Sequence, residues 1–171
     1  MTDEVLRALA ERLQGLCLGR GLTVAVAESC TGGLVAAAIT DVAGSSGYFL
    51  GGVVSYSDQA KLIFLDVPAE SLSAHGAVSA QVARAMAVGA RARFGASLAV
   101  SVTGIAGPDG ATPGKPVGLT YLGIADDQGS DVRRFAFSGD RADNRAEGAR
   151  AALAWLVERA ETGPGPRPTA G

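Results

Sequence analysis

Apolar residues recur at two periods along this chain, and the switches between them divide it into alternating helices and strands. Val5, Leu6, Leu9, Leu13 and Leu16 fall on one helical face, with Thr2 placed to cap it and Gly19 and Gly21 to end it. Thr23-Val24-Ala25-Val26-Ala27 is short, apolar and partly β-branched, so it predicts a buried strand over about Leu22 to Ala27. A helix over about Thr31 to Asp41 follows, then a strand over Gly52 to Tyr56 and a helix opening at Ser57 and Asp58. Pro68 opens another short helix, and Ser79 caps a longer one running to Phe94. Strands are predicted over Ser97 to Val102, Gly118 to Ala125 and Val132 to Phe137. Asp126-Asp127-Gln128-Gly129 turns the last two into a hairpin. A final helix starts near Ser138-Gly139-Asp140-Arg141 and ends near Ala160. This alternation predicts the α/β class, and the hairpin makes the sheet mixed. Residues 1–161 read as one domain, and the proline- and glycine-rich segment 162–171 reads as a disordered tail.

Composition narrows the function. The chain has 171 residues, 47% of them hydrophobic, enough to bury one core. Its formal net charge is -2 with no basic block, which argues against nucleic acid. No apolar run reaches the roughly 18 residues of a membrane span, and the acidic N-terminus is unlike a signal peptide. The two cysteines, Cys17 and Cys30, are too few for a disulfide scaffold. Both are expected to be reduced, in a cytoplasmic protein. One histidine and scattered carboxylates give no metal-ligand spacing, so neither a metal nor another cofactor is expected. Of fifteen basic residues only Lys61 and Lys115 are lysines. Arginine keeps its proton, whereas a desolvated lysine can lose it.

Candidate chemistry gathers after the strands. Ser29, Cys30 and Thr31 occupy the strand-to-helix turn AESCTGG, where an open α/β sheet binds ligands. Helix N-terminal N–H groups there suit an oxyanion or phosphate, and Gly32 and Gly33 allow close approach. A helix cap followed by a packing glycine pair is the plainer reading of the same residues. Ser45 and Ser46 stand in a short loop. Lys61 lies one helical turn after Ser57, so parallel neighbouring strands would bring it to the edge that carries Ser29. Thr103 follows the third strand as Ser29 follows the first, and opens a loop of about fifteen residues, a length often functional. Arg141 and Arg145 begin the last helix, where cations oppose its dipole, which points at least one of them to an anion. The residues fit a serine activated by a neutral lysine, with the oxyanion on the Cys30-Thr31-Gly32 turn. Two rivals stay open: Cys30 as nucleophile with His75 as base, and a non-catalytic nucleotide-binding or regulatory module.

From Thr2 to Ala160 the chain resembles the C-terminal domain of the competence/damage-inducible CinA proteins, the nicotinamide-nucleotide amidohydrolases. The motifs that carry this are AESCTGG, DVAGSSGYF, GGVVSYSDQAK, HGAVS, SVTGIAGPDG, KPVG and FSGDR. The resemblance implies a three-layer α/β/α domain with a mixed, mostly parallel five-stranded sheet. It implies deamidation of nicotinamide mononucleotide (NMN) to nicotinate mononucleotide and ammonia, in pyridine nucleotide salvage, by a Ser/Lys mechanism. Ser29 matches the nucleophile position, with Ser46 as the alternative, and Lys61 matches the base. Cys30, Thr31, Gly32, Ser46, Tyr56, Thr103, Arg141 and Arg145 are the candidate substrate-binding residues. The chain begins at the first helix of the amidase domain and so looks like a stand-alone form. The expected partner is the small-molecule substrate, with no nucleic acid or membrane. The alanine- and glycine-rich helices suit packing within the domain or in a homo-oligomer.

Overall fold

The computed structural model describes residues 3–163. Helix α1 covers Glu4–Arg20, followed by β1 (Val24–Glu28), α2 (Leu34–Thr40), a 3-10 turn at Ser45–Gly47 and β2 (Phe49–Val54). Then come α3 (Asp58–Leu65), α4 (Ala69–His75), α5 (Ala80–Phe94) and β3 (Leu98–Gly104). Strands β4 (Leu119–Asp126) and β5 (Gly129–Ala136) precede α6 (Arg141–Thr162).

The five strands form one sheet in the order β2-β1-β3-β4-β5. β1 pairs in parallel with both β2 and β3. β4 runs antiparallel to β3, and β5 antiparallel to β4, so only β4 opposes the common direction. The expected mixed, mostly parallel sheet is therefore present. Its topology brings five chain segments to one edge: those after β1, β2 and β3, the approach to β4, and the start of α6.

Helices cover both faces. On one, α1, α2 and α6 pack Leu13, Val35, Leu153 and Leu156 against Val26, Val100 and Leu122. Full burial of each such leucine contributes roughly 2 kcal/mol. On the other, Leu65, Leu72, Val82 and Met86 of α3, α4 and α5 meet Ala25, Ala27 and Ala99. Small residues on this face let α5 lie close to its neighbours. A Cβ on Gly89 would stand 1.9 Å from the Leu65 carbonyl oxygen, and one on Gly123 2.2 Å from that of Ala83.

Element boundaries correct the sequence expectations in places. Asp3 caps α1 by accepting from the N–H groups of Val5 and Leu6; Thr2 lies outside the described residues, as does most of the expected tail, 164–171. α2 begins at Leu34 rather than Thr31, because Gly32 and Gly33 hold positive φ of 60° and 105°, outside the helical region. β2 begins earlier, at Phe49, and β5 at Gly129, directly out of the hairpin. No helix among the described residues is long and apolar enough to cross a membrane.

Candidate active site

Ser29 leaves the end of β1 with its N–H donating to the Val102 carbonyl at 2.9 Å. Parallel pairing of Glu28 with Val102 puts Ser29 beside Thr103. The next residues make a tight turn in which the Gly32 N–H donates to the Ser29 carbonyl at 3.0 Å. Glu28 then reaches past this turn. Its buried carboxylate accepts from the N–H groups of Gly33, Val35 and Ala36 at 3.0, 3.2 and 2.9 Å. The first amides of α2 are thus occupied by the protein's own carboxylate, and Gly32 is occupied as well. This corrects the expectation that the helix N-terminus lies open to an anion. The N–H groups of Cys30 and Thr31 make no bond to a backbone carbonyl and lie instead towards the Cys30 sulfur, whose thiolate form they favour. Contrary to expectation, Thr31 itself is fully buried and neither it nor Gly32 lines the cavity described below.

Lys61 comes from α3, whose start is capped by Ser57 Oγ accepting from the Ala60 N–H at 3.0 Å. Its side chain is only 1% exposed. The Nζ donates to the Ser55 carbonyl at 2.7 Å and to Ser29 Oγ at 3.2 Å. Ser55 is itself tied to β1, its N–H donating to the Glu28 carbonyl at 2.8 Å. Desolvation lowers the Lys61 pKa from the ordinary 10.5, against the opposing pull of Asp58 and Cys30. The arrangement is a serine hydroxyl in hydrogen-bond contact with an amine biased towards its neutral, proton-accepting form.

The other candidates divide by position. Ser29, Cys30, Tyr56, Lys61, Thr103 and Arg141 line a cavity of about 280 Å³. Thr103 Oγ1 donates to the Ala77 carbonyl at 2.8 Å on its wall. Arg141 bridges the mouth, donating to the Tyr56 hydroxyl at 3.0 Å and the Gly107 carbonyl at 2.8 Å. Beyond it a larger, mainly apolar cleft of about 670 Å³ is walled by Ala106, Pro108, Val117 and Ala142. Arg145 borders that cleft, and its guanidinium donates to the carbonyls of Cys30 and Thr31 at 3.1 and 3.0 Å. Gly32 stays close under Arg145, since a Cβ there would lie 3.3 Å from its Nη2.

Ser46 is not brought to this cavity. It lies in the 3-10 turn before β2, whereas Ser29 follows β1, so the two sit at opposite ends of parallel strands. At the ordinary strand rise, the six residues of β2 separate these ends by about 20 Å. His75, at the end of α4, is exposed, and its carbonyl accepts from Lys115 Nζ at 2.5 Å. It does not line the cavity, and burial pushes the Cys30 thiol up to about 11. Both observations weigh against a Cys30–His75 pair. Among the described residues, no group of three or more His, Cys, Asp or Glu side chains could hold a metal ion.

Sequence reading missed three residues that build the site. Glu28 holds the turn, Ser55 holds Lys61, and Asn144 holds the loop after β3. The Asn144 Nδ2 donates to the Ala106 carbonyl at 3.1 Å and the Gly139 carbonyl at 2.9 Å. The available signal was the Glu28 carboxylate closing an otherwise apolar strand; Ser55 and Asn144 lie among polar neighbours and carry no such signal.

Fold and site together define a three-layer α/β/α domain with a serine and a buried lysine where parallel strands end. The chain belongs to the CinA C-terminal domain family, whose sequence model matches residues 6–160. It is 59% identical over 146 residues to a CinA-like protein of Citrifermentans bemidjiense, covering 85% of this chain and 35% of that protein. A CinA-like protein of Geobacter sulfurreducens is 56% identical over 140 residues, covering 82% and 34%. The chain thus spans about a third of the length of these relatives. Among solved structures, the competence/damage inducible protein CihA of Agrobacterium tumefaciens superposes with a TM-score of 0.90 at 41% identity, covering 92% of this chain and 97% of that one. A CinA superfamily protein of Klebsiella pneumoniae gives 0.88 at 35% identity, covering 91% and 98%.

Proposed function

We propose that this chain is a Ser/Lys amidohydrolase that converts NMN and water to nicotinate mononucleotide and ammonia, in pyridine nucleotide salvage. The observation that carries the reading is the 3.2 Å contact between Ser29 Oγ and the buried amine of Lys61. Neutral Lys61 takes the Ser29 proton as Oγ bonds to the carboxamide carbon. The Cys30 and Thr31 N–H groups receive the oxyanion. Collapse breaks the C–N bond, and Lys61 returns its proton to the departing nitrogen, which leaves as ammonia. Lys61 then deprotonates a water that attacks the acyl ester, releasing nicotinate mononucleotide, and the proton goes back to Ser29. Arg141, with Thr103, would hold the phosphate. The proposal includes a cytoplasmic location and a small-molecule partner, with neither nucleic acid nor membrane.

Ammonia release from NMN tests it, with Ser29→Ala and Lys61→Ala beside the parent. Release by the parent, lost in both folded variants, supports the Ser/Lys cycle. Full turnover by Ser29→Ala would sink it. Saturable NMN binding without ammonia release would make the site a binding module instead.

A further inference from the structure

Glu28 takes no part in the proton transfers above, yet its surroundings are unusual for a carboxylate. It is 1% exposed and ends a strand whose other residues are all apolar. No cation pairs with it among the described residues; its partners are the three amides at the start of α2. A buried carboxylate is costly unless its oxygens are hydrogen-bonded, and here both are engaged. Ordinary capping would use a short side chain at the N-cap position. That position is Gly33, which offers none. The acceptor comes instead from five residues upstream, so the carboxylate closes a clasp around Ser29-Cys30-Thr31-Gly32.

Two consequences meet at the reacting atoms. The clasp engages the amides of Gly33, Val35 and Ala36 and so fixes the backbone of the turn that carries Ser29, while the amides of Cys30 and Thr31 are left to the Cys30 sulfur alone. The Glu28 carbonyl also accepts from Ser55, whose own carbonyl accepts from Lys61 Nζ. One residue therefore fixes the serine through its side chain and the lysine through its main chain. Resting on the amidohydrolase reading, we propose that Glu28 is a positioning residue for the reaction, setting the Ser29–Lys61 geometry.

Glu28→Gln, Glu28→Asp and Glu28→Ala test this in the full chain, with circular dichroism and thermal melts checking the fold. Misplacement of the nucleophile by about an ångström costs on the order of 100-fold in rate. Alanine and the shorter aspartate are expected to lose about that much in kcat with KM little changed, while the isosteric glutamine recovers part of it. A folded Glu28→Ala with parental kcat would overturn the proposal; where alanine fails to fold, the kcat of Glu28→Gln decides.

Cys30 supplies a readout that needs no turnover. Its thiol faces charge from Glu28 of β1, Arg145 of α6 and Lys61 of α3, and Cys17 is fully buried and does not compete. Removing the Glu28 charge is expected to move iodoacetamide alkylation of Cys30 to lower pH in Glu28→Gln. A parent that releases no ammonia would refute the amidohydrolase reading. The clasp would then stand if amide hydrogen exchange at Gly33, Val35 and Ala36 is faster in Glu28→Ala than in the parent, and fall if it is unchanged.

Discussion

Arg141 and Tyr56 are 85 residues apart in sequence and joined by a 3.0 Å hydrogen bond across the mouth of the cavity. The other arm of the guanidinium holds the Gly107 carbonyl, so this side chain separates the cavity from the wider cleft and lines both. Each contact is one that an arriving phosphate could replace. A hydrogen bond to a charged group contributes about 1.5–3 kcal/mol, equivalent to roughly 10- to 100-fold in binding. Arg141→Ala is therefore expected to raise the KM for NMN by that range, with a smaller effect on kcat. Arg141→Lys recovers little, because an ammonium cannot fork between two acceptors. Initial rates over a range of NMN concentrations measure both.

In the proposed cycle Lys61 must be neutral to accept the Ser29 proton, and desolvation lowers its pKa below 10.5. Activity is expected to rise with pH as Lys61 deprotonates, and to level off at a pH below 10.5. Lys61→Arg keeps the charge but cannot act as base at any accessible pH, so it should be inactive throughout. A pH–rate profile of parent and variant checks both statements, and a flat parental profile would contradict the role given to Lys61.

Arg145 anchors the carbonyls of Cys30 and Thr31 and so supports the same turn from the α6 side. Arg145→Ala removes two charge-assisted hydrogen bonds, at a cost of about 1–3 kcal/mol in stability. Its effect on turnover is expected to fall on kcat rather than KM, because what is loosened is the support of the proposed nucleophile. Denaturant unfolding and steady-state kinetics separate the two.

Gly89 lets α5 pass under the end of α3. A methyl group there would meet the Leu65 carbonyl oxygen at 1.9 Å, which is backbone and has little room to yield. Gly89→Ala is expected to destabilise the domain by about 2 kcal/mol or more. A loss of that size lowers Tm by roughly 5 °C in a chain of this length. Calorimetry reads it directly.

The strands and helices were legible because their apolar periods are clean, and the hairpin because Asp126 to Gly129 can do little else. The meeting of Ser29 and Lys61 was legible for a topological reason: each follows a strand, and parallel neighbours end at the same edge. That argument also sets Ser46 apart, since it precedes its strand. The start of α2 was misplaced because its cap lies upstream, in Glu28, beyond the window in which capping residues are sought. The engagement of Arg145 with two carbonyls depends on α6 packing against β3 and α2 beside the turn after β1, a packing fact with no local signature in sequence.

The buried lysine carries one more consequence, for anyone who would improve this protein. In the unfolded chain Lys61 is protonated at any pH below its ordinary 10.5, while the folded chain disfavours that proton. The contribution of this group to stability is fully present above 10.5 and is lost as pH falls through the lowered folded value, so at neutral pH it works against folding. Lys61→Met, of similar length and uncharged, is expected to melt higher than the parent at neutral pH while releasing no ammonia. If Lys61 is the base proposed above, heat selection alone would enrich proteins that survive because they have stopped working.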